Sequence, residues 1–238
     1  MKDKALKNIT IAAALFFSLF FVAKFAGPEI LKLYVEAGIG NCRKIPILCV
    51  APTEEIYGET QRIDKEYLAG LTLYKFPDMQ IYLPKSFQVF KEKIKKVYYK
   101  KVRRRQTGDV AYLLYEKPYF FINLFPQAGK LGIKNDYEFF SRIMYAQFNN
   151  IQNLGDVFFV IVKSIFIPDL GDSNSPKIVK FSHADFRGFI AYSLGGKGNY
   201  FNCDIFNTKG DFFKIYIKDK SNSLDLSKVL GIISTIKR

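Results

Sequence analysis

Few residues of this sequence combine a reactive type with a spacing that chemistry requires. His183 is the single histidine, and Asp185 follows it at the spacing of a possible proton-transfer pair. Asp169–Asn174 (DLGDSN) offers oxygen ligands for calcium but departs from the known calcium-loop spacing. Gly195–Gly198 surrounds a lysine with glycines but lacks the phosphate-loop pattern. A surface histidine, a solvated loop and a hairpin turn explain these segments better, so we assign no catalytic residue, metal ligand or cofactor.

The cysteines bear on the redox compartment. Cys42 and Cys49 are separated by six intervening residues in GNCRKIPILCVAP, and Pro46 bends the chain between them. In an oxidising compartment this pair can close a small disulfide loop. Two free thiols or half of a metal site are the alternatives, although zinc usually needs a closer cysteine spacing and a second pair. Cys203 lies in an alternating apolar segment, which predicts a buried strand residue.

A basic segment is the strongest surface feature of the sequence. Between Lys91 and Arg105 the chain has nine Lys or Arg and one Glu, a large share of its net charge of +14. We predict that an anionic group or partner is contacted by Lys95, Lys96, Lys100, Lys101, Arg103, Arg104 and Arg105. Anionic lipid and an acidic protein surface are the candidate partners. Tyr98 and Tyr99 favour nucleic acid, but the compartment predicted below does not; a solvated sheet edge is the simplest alternative.

The N-terminus predicts where the rest of the chain is placed. Ile9–Ala26 is an apolar run whose only charge is Lys24, and as a helix it would extend about 27 Å, close to the thickness of a bilayer core. The basic residues before this run should remain cytoplasmic. Cleavage after Ala23 or Ala26 would place Phe21 or Lys24 at the minus-three position, where a small residue is needed, so an uncleaved signal anchor is favoured over a cleaved signal peptide. We therefore predict one N-terminal membrane span and an extracytoplasmic main domain, facing the periplasm in a bacterium.

Three parts of the chain follow from this interpretation. Residues 1–27 form the cytoplasmic tip and anchor, residues 28–75 a juxtamembrane helix and connector, and residues 76–238 the extracytoplasmic domain. Aromatic and β-branched residues in the last part predict strands. These strands are Gln80–Pro84, Lys93–Val102, Val110–Glu116, Tyr119–Phe125, Lys177–Ser182, Phe186–Ser193, Tyr200–Phe206 and Asp211–Asp219. The last four are joined by short turns and should therefore pair antiparallel.

Helices are predicted at three places in this domain. Asn135 and Glu138 have the spacing of a capping box, and apolar residues then recur at helical spacing up to Phe148. Val157–Ile167 is favoured as a helix over a strand, with Asp156 as its N-cap and Pro168 as its end. Leu224–Ile236 has one apolar face and predicts a terminal amphipathic helix.

The ends of this domain resemble a known fold. FPDMQIYLPKSF at its start, and FFKIYIKD with a turn and a terminal helix ending in IISTIK, resemble the Mog1/PsbP-like α+β domain. The resemblance covers Phe76–Arg238. Domains of this fold are mostly binding or assembly factors without catalytic activity, so the resemblance implies a class of role and identifies no site residue.

These observations predict an α+β fold class, with an N-terminal transmembrane helix followed by an antiparallel sheet with packed helices. The predicted function is a membrane-anchored extracytoplasmic binding or scaffolding protein that acts as an accessory or assembly factor. One alternative is an envelope enzyme that uses carboxylates such as Asp185 or Asp204 on a polar substrate. The other is a membrane-tethered nucleic-acid binder. A deep pocket with convergent carboxylates would favour the enzyme.

Overall fold

The structure is a computed structural model that describes residues 26–57, 65–76, 78–91, 108–167, 170, 175–183 and 185–237. The strands in these ranges are β1 Glu54–Tyr57, β2 Thr72–Phe76, β3 Met79–Leu83, β4 Gln88–Lys91, β5 Val110–Glu116, β6 Lys177–His183, β7 Phe186–Ser193, β8 Asn199–Asn207 and β9 Phe212–Asp219. The helices are α1 (residues 26–38), α2 Lys65–Ala69, α3 Phe120–Leu124, α4 Pro126–Lys130, α5 Asp136–Tyr145, α6 Leu154–Phe166 and α7 Leu226–Ser234. Pro46–Cys49 and Phe148–Asn150 form short 3₁₀ turns.

Seven strands form the main sheet in the order β1-β6-β7-β8-β9-β5-β4, and β2 and β3 form a separate hairpin. The predicted antiparallel pairing of β6 to β9 is confirmed, because each pair is joined by a turn too short for a crossover. β5 is also antiparallel to β9. At the two edges, however, β1 runs parallel to β6 and β4 runs parallel to β5.

The two faces of the main sheet are covered differently. On the first, which we call the helix-covered face, α3, α5 and α6 pack through a group of buried rings that includes Phe121, Phe139, Phe140, Phe166, Phe206 and Phe212. On the second, which we call the hairpin face, α7 and the β2–β3 hairpin pack onto aliphatic strand residues. Lys237 forms an antiparallel bridge with Gln80 of β3 and so extends the layer that covers the hairpin face.

Side-chain caps fix where the long helices begin. Asn135 precedes α5 and its side chain accepts a hydrogen bond from the Glu138 amide at 2.9 Å, so the predicted start is confirmed. The predicted helix at Val157–Ile167 is also confirmed, but α6 begins at Leu154. Its N-cap is Asn153, and Asp156 occupies the third helical position of a capping box. Asp225 caps α7, because its side chain accepts from the Lys228 amide at 2.8 Å.

The predicted strand at Tyr119–Phe125 is wrong, because this segment contains helix α3. The apolar run is too short for its periodicity to distinguish strand from helix. Tertiary contacts decide: Tyr119 turns the chain with a left-handed φ of 65°, and a carboxyl oxygen of Asp136 accepts from the Ile122 amide. This bond supplies the N-terminal cap that α3 lacks within its own sequence.

The segment expected to be a juxtamembrane helix and connector, residues 28–75, is integrated into the fold. It supplies β1 to the main sheet and the β2 strand of the hairpin. Val35 of α1 and Leu48 are buried in a third apolar cluster with Phe148 and Val160. The opposite side of α1 carries three side chains that are each more than 60% exposed, Ile30, Leu33 and Tyr34. Helix α1 is thus apolar on two sides, and one of them packs on the described fold.

The predicted fold class needs two corrections. The main sheet is mixed rather than antiparallel, because its two edge strands pair parallel with their neighbours. The class also included a transmembrane helix, but among the helices of the described ranges none has the length and apolar character to cross a bilayer. The predicted span, Ile9–Ala26, lies outside the described residues except for Ala26. The single-pass, signal-anchored arrangement is therefore not retained.

Candidate functional site

The predicted basic contact residues cannot be located in the structure. Lys95, Lys96, Lys100, Lys101, Arg103, Arg104 and Arg105 all lie outside the described residues. The description stops at Lys91, the end of β4, and resumes at Gly108, before β5. The Asp169–Asn174 segment also lies outside, apart from Leu170.

The residues considered for acid–base chemistry are not brought together. His183 ends β6, and its buried Nδ1 atom has no hydrogen-bond partner, so this atom does not bond Asp185. Asp185 lies in the exposed turn that follows, whereas Asp204 is fully buried in the middle of β8. Asp204 forms an ion pair with Lys214 at 2.6 Å. Its carboxylate is therefore not accessible to a substrate.

Cys42 and Cys49 form a disulfide in the structure, with their Cα atoms 5.7 Å apart. The Cys49 carbonyl accepts from Gln147 at 3.1 Å, which attaches this loop to the segment after α5. Cys203 is fully buried, and burial raises the pKa of its thiol, so it is not a reactive cysteine. Within the part of the chain that the structure describes, no three metal-ligating side chains are grouped.

The described surface contains a cleft of about 210 Å³ at one end of the helix-covered face. It lies between the turn before α3, the N-terminus of α5, the start of β7 and the β8–β9 turn. We call it the Arg187 cleft, after the arginine that β7 contributes. Its polar and aromatic lining includes Tyr119, Asn135, Asp136, Tyr137, Arg187 and Lys209.

The β8–β9 turn fixes one rim of the Arg187 cleft. The Asn207 side chain accepts from the amides of Lys209 and Asp211 at 3.0 and 2.9 Å and donates to the Asp211 carboxylate at 2.9 Å. Gly210 adopts a φ of 82°, which favours glycine. The turn backbone is therefore well determined, and it presents the exposed Lys209 at the rim.

Arg187 forms the opposite rim and is held by aromatic contacts. Its guanidinium lies 4.0 Å from the centre of the Tyr137 ring, a cation–π contact. The Tyr137 ring in turn packs on Phe189 and Phe206, with centroids 5.9 and 5.6 Å away. Neither Arg187 nor Lys209 forms an ion pair with a described carboxylate. Two positive groups thus border the cleft, and neither has an ion-pair partner among the described residues.

Asp136 lines the Arg187 cleft as its only described carboxylate and is only 3% exposed. Its Oδ1 atom accepts from the Ile122 amide at 2.9 Å, whereas the buried Oδ2 has no hydrogen-bond partner among the described residues. Burial raises the pKa of Asp136, and the backbone amides of Tyr119 to Ile122 oppose this shift. A buried carboxylate oxygen without a partner is costly and needs an explanation.

Sequence reasoning missed the residues of the Arg187 cleft. The capping-box spacing located the start of α5, and glycine located the β8–β9 turn, but no local pattern shows that these two meet. Arg187 stands in an alternating strand, where it has the appearance of an ordinary exposed residue. The cleft forms because the turn before α3 and the β8–β9 turn lie next to each other at the same end of the sheet.

No protein-family model, curated protein or solved structure matches this chain. The Mog1/PsbP-like resemblance accordingly stays a prediction from the sequence.

Proposed function

We propose that this chain is a binding protein that recognises an anionic group of its ligand in the Arg187 cleft. The observation that carries the proposal is the pair of positive side chains, Arg187 and Lys209, which border the cleft without an ion pair to a described carboxylate. A guanidinium presents paired donors that match carboxylate or phosphate. Because Arg187 already rests on Tyr137, little side-chain freedom is lost on binding. The net charge of +14 favours anionic ligands in general.

Binding is favoured over catalysis by the placement of the acidic residues. The envelope-enzyme alternative needs carboxylates that converge in a pocket. Asp204 is fully buried and paired with Lys214, and Asp136 uses one of its oxygens to cap α3. An accessory or binding role fits these structural uses better.

A chemical-shift titration tests the proposed site. Acetate and inorganic phosphate are added to the isotope-labelled protein, and backbone amide signals are followed. We expect both anions to shift the amides of Tyr137, Arg187 and Thr208–Gly210, since these residues line the cleft. Shifts spread over unrelated surface lysines would contradict the proposal.

Arg187→Met is the matched variant for this titration, because methionine keeps an apolar stem against Tyr137 and removes the charge. It should weaken anion binding at least about tenfold, the size of one lost charge-assisted hydrogen bond. Arg43→Met is the control, since Arg43 is equally exposed but lies in the disulfide loop. Equal losses in both variants would show a nonspecific charge effect.

The disulfide supports a proposal about compartment: the chain acts in an oxidising environment outside the cytoplasm. Structural disulfides persist in such compartments and are rare in the cytosol. Trapping of thiols in intact cells with acid, followed by denaturation and mass-tagging, measures this directly. We expect one tag per chain, on Cys203, because Cys42 and Cys49 are paired. Three tags per chain would contradict the assignment.

The basic segment offers a second, sequence-based route to anionic partners. Its high local charge favours contact with anionic lipid or an acidic protein surface. Affinity purification of the native chain and of a variant with Arg103, Arg104 and Arg105 changed to Ala tests this contact. Recovery of the same partners and lipids from both chains would show that the segment is not the recognition surface.

A further inference from the structure

The side chains that line the Arg187 cleft differ in whether their polar groups are already used. Asn135 accepts from the Glu138 amide and donates to the Glu138 carboxylate at 3.0 Å. Asn207 is fully engaged in the β8–β9 turn. Among the charged and amide side chains of the cleft, three groups are left: the donors of Arg187 and Lys209, and the Oδ2 acceptor of Asp136.

The three groups differ in charge: Arg187 and Lys209 are positive, and the Asp136 carboxylate is negative. Two cations at the rim require an acceptor of negative charge, whereas a carboxylate oxygen requires a hydrogen-bond donor. A simple anion would satisfy Arg187 and Lys209 and leave Oδ2 unpartnered. A ligand with an anionic group at one end and a cationic N–H donor at the other would satisfy all three.

Asp136 is placed so that its negative charge can be retained for a ligand. It occupies the first position of the ten-residue helix α5, where the helix dipole favours a negative charge. Its Oδ1 atom is held by the Ile122 amide, so the carboxyl group is fixed, and its buried Oδ2 atom has no hydrogen-bond partner among the described residues.

We infer that the Arg187 cleft takes a small amphoteric ligand, whose carboxylate or phosphate binds Arg187 and Lys209 and whose ammonium group donates to Asp136. This inference rests on the proposed function and adds the chemical class of the ligand. A cleft of about 210 Å³ is large enough for a molecule of amino-acid size or for the end of a peptide.

A series of probes that differ only in the amine tests the inference. Glycine, β-alanine, 4-aminobutyrate and 5-aminovalerate are compared with the matched acids acetate, propionate, butyrate and valerate by calorimetry and amide shifts. At least one amino acid should bind about tenfold or more tightly than its matched acid, as a charge-assisted hydrogen bond to a buried carboxylate predicts. The Ile122 amide should shift only with the amino acids.

Asp136→Asn is the decisive variant, because the asparagine carbonyl can still accept from Ile122 while an amide nitrogen replaces Oδ2. It should abolish the preference for the amino acid and leave the affinity for the matched acid unchanged or higher. Asp185→Asn is the control, since Asp185 is exposed in the β6–β7 turn. It should change neither affinity.

The outcomes separate this inference from the function on which it rests. If amino acids and matched acids bind the wild-type cleft equally, the amphoteric ligand is wrong and the anion site stands. If no probe shifts the cleft amides, the proposed function fails as well. Should Asp136→Asn not fold, the wild-type comparison and the Ile122 shift still decide the question.

Discussion

The two faces of the main sheet differ in how they treat polar groups. Along β8 and β9, alternate residues point to opposite faces. On the hairpin face the middle of these strands presents Cys203, Ile205, Ile215 and Ile217, all fully buried and apolar apart from the thiol, whereas the buried polar residues Asn199 and Asp219 stand at the strand ends. On the helix-covered face the same strands bury Asn202, Asp204 and Lys214. Burial of polar groups costs free energy unless every partner is supplied. The helix-covered face therefore needs a geometric precision that the apolar middle of the hairpin face does not need.

The Asp204–Lys214 pair shows how this precision is reached. Lys214 donates to Asp204 at 2.6 Å and to the Phe166 carbonyl at the end of α6 at 3.0 Å, and Asn202 donates to Asp204 at 2.9 Å. Burial raises the pKa of Asp204, and Lys214 and Asn202 oppose this shift. The pair therefore joins β8, β9 and α6, and it specifies how the helical layer sits on the sheet.

The largest expected effect comes from removing one partner of this pair. Asp204→Asn leaves the Lys214 ammonium buried without its counter-charge, and the free energy of unfolding should fall by about 3–5 kcal/mol. Chemical denaturation followed by circular dichroism measures this. Ile205→Val, the neighbouring position on the hairpin face, should cost about 1 kcal/mol.

A double variant separates the charge effect from packing. Asp204→Asn combined with Lys214→Met removes both charges, and most of the lost stability should return because no uncompensated ion remains. If the double variant is as unstable as the single one, the pair is not coupled, and the proposed contrast between the two faces is incorrect.

Lys163 of α6 provides the second test of how buried polar groups stabilise the helices on the helix-covered face. It is fully buried in α6, and its Nζ donates to the carbonyls of Val50, Met144 and Ala146 at 2.5 to 2.8 Å. Three acceptors match the three donors of the ammonium form. The neutral amine, which prevails at pH 8 because burial lowers the pKa of Lys163 to about 7, can donate to two of them. Lys163→Met leaves these carbonyls without their partner, and stability should fall by about 2–3 kcal/mol at pH 8.

The same residue predicts a pH dependence. Burial lowers the pKa of Lys163 from 10.5 to about 7. Between these values the unfolded chain binds more protons than the folded chain, so stability should rise with pH, by up to about 1.4 kcal/mol per unit. The difference between wild type and Lys163→Met should therefore widen from pH 7 to pH 10. A constant difference would show that Lys163 keeps an ordinary pKa.

These buried polar groups mark the limit of what the sequence predicts here. Alternation and turn residues correctly predict β6–β9, because each strand contacts its neighbour in sequence. The partners of Lys163 and Asp136 come from distant segments, and no local pattern identifies a carbonyl or an amide as a partner. β1 and β4 were missed for a similar reason. Each is four residues long and pairs parallel with a strand to which no short turn joins it.

The disulfide loop allows a third prediction about the helical layer. It is attached to that layer because Val50, which directly follows Cys49, accepts a hydrogen bond from Lys163 of α6. Replacing Cys42 and Cys49 with Ser should lower the free energy of unfolding by about 2.5 kcal/mol, the loop entropy of so short a ring. Reduced wild type should match this variant in chemical denaturation. The variant should not respond to reductant; if it does, Cys203 is the sensitive thiol.

The smallest expected effect on stability concerns Tyr119, at the border between the helical layer and the Arg187 cleft. Its left-handed φ of 65° is unfavourable for tyrosine, and its side chain is 57% exposed, so little packing compensates the strain. Tyr119→Gly should leave the free energy of unfolding unchanged or raise it by up to about 1 kcal/mol.

Asn222 is the matched control for this substitution, because it is the other described non-glycine residue with a positive φ, at 54°, and asparagine tolerates that conformation. Asn222→Gly should therefore gain less than Tyr119→Gly. If Tyr119→Gly gains stability and also weakens anion binding in the cleft, the tyrosine is retained in a strained conformation for the ligand. If stability falls instead, the ring has a packing role, and the cleft border belongs with the structural core rather than with the binding site.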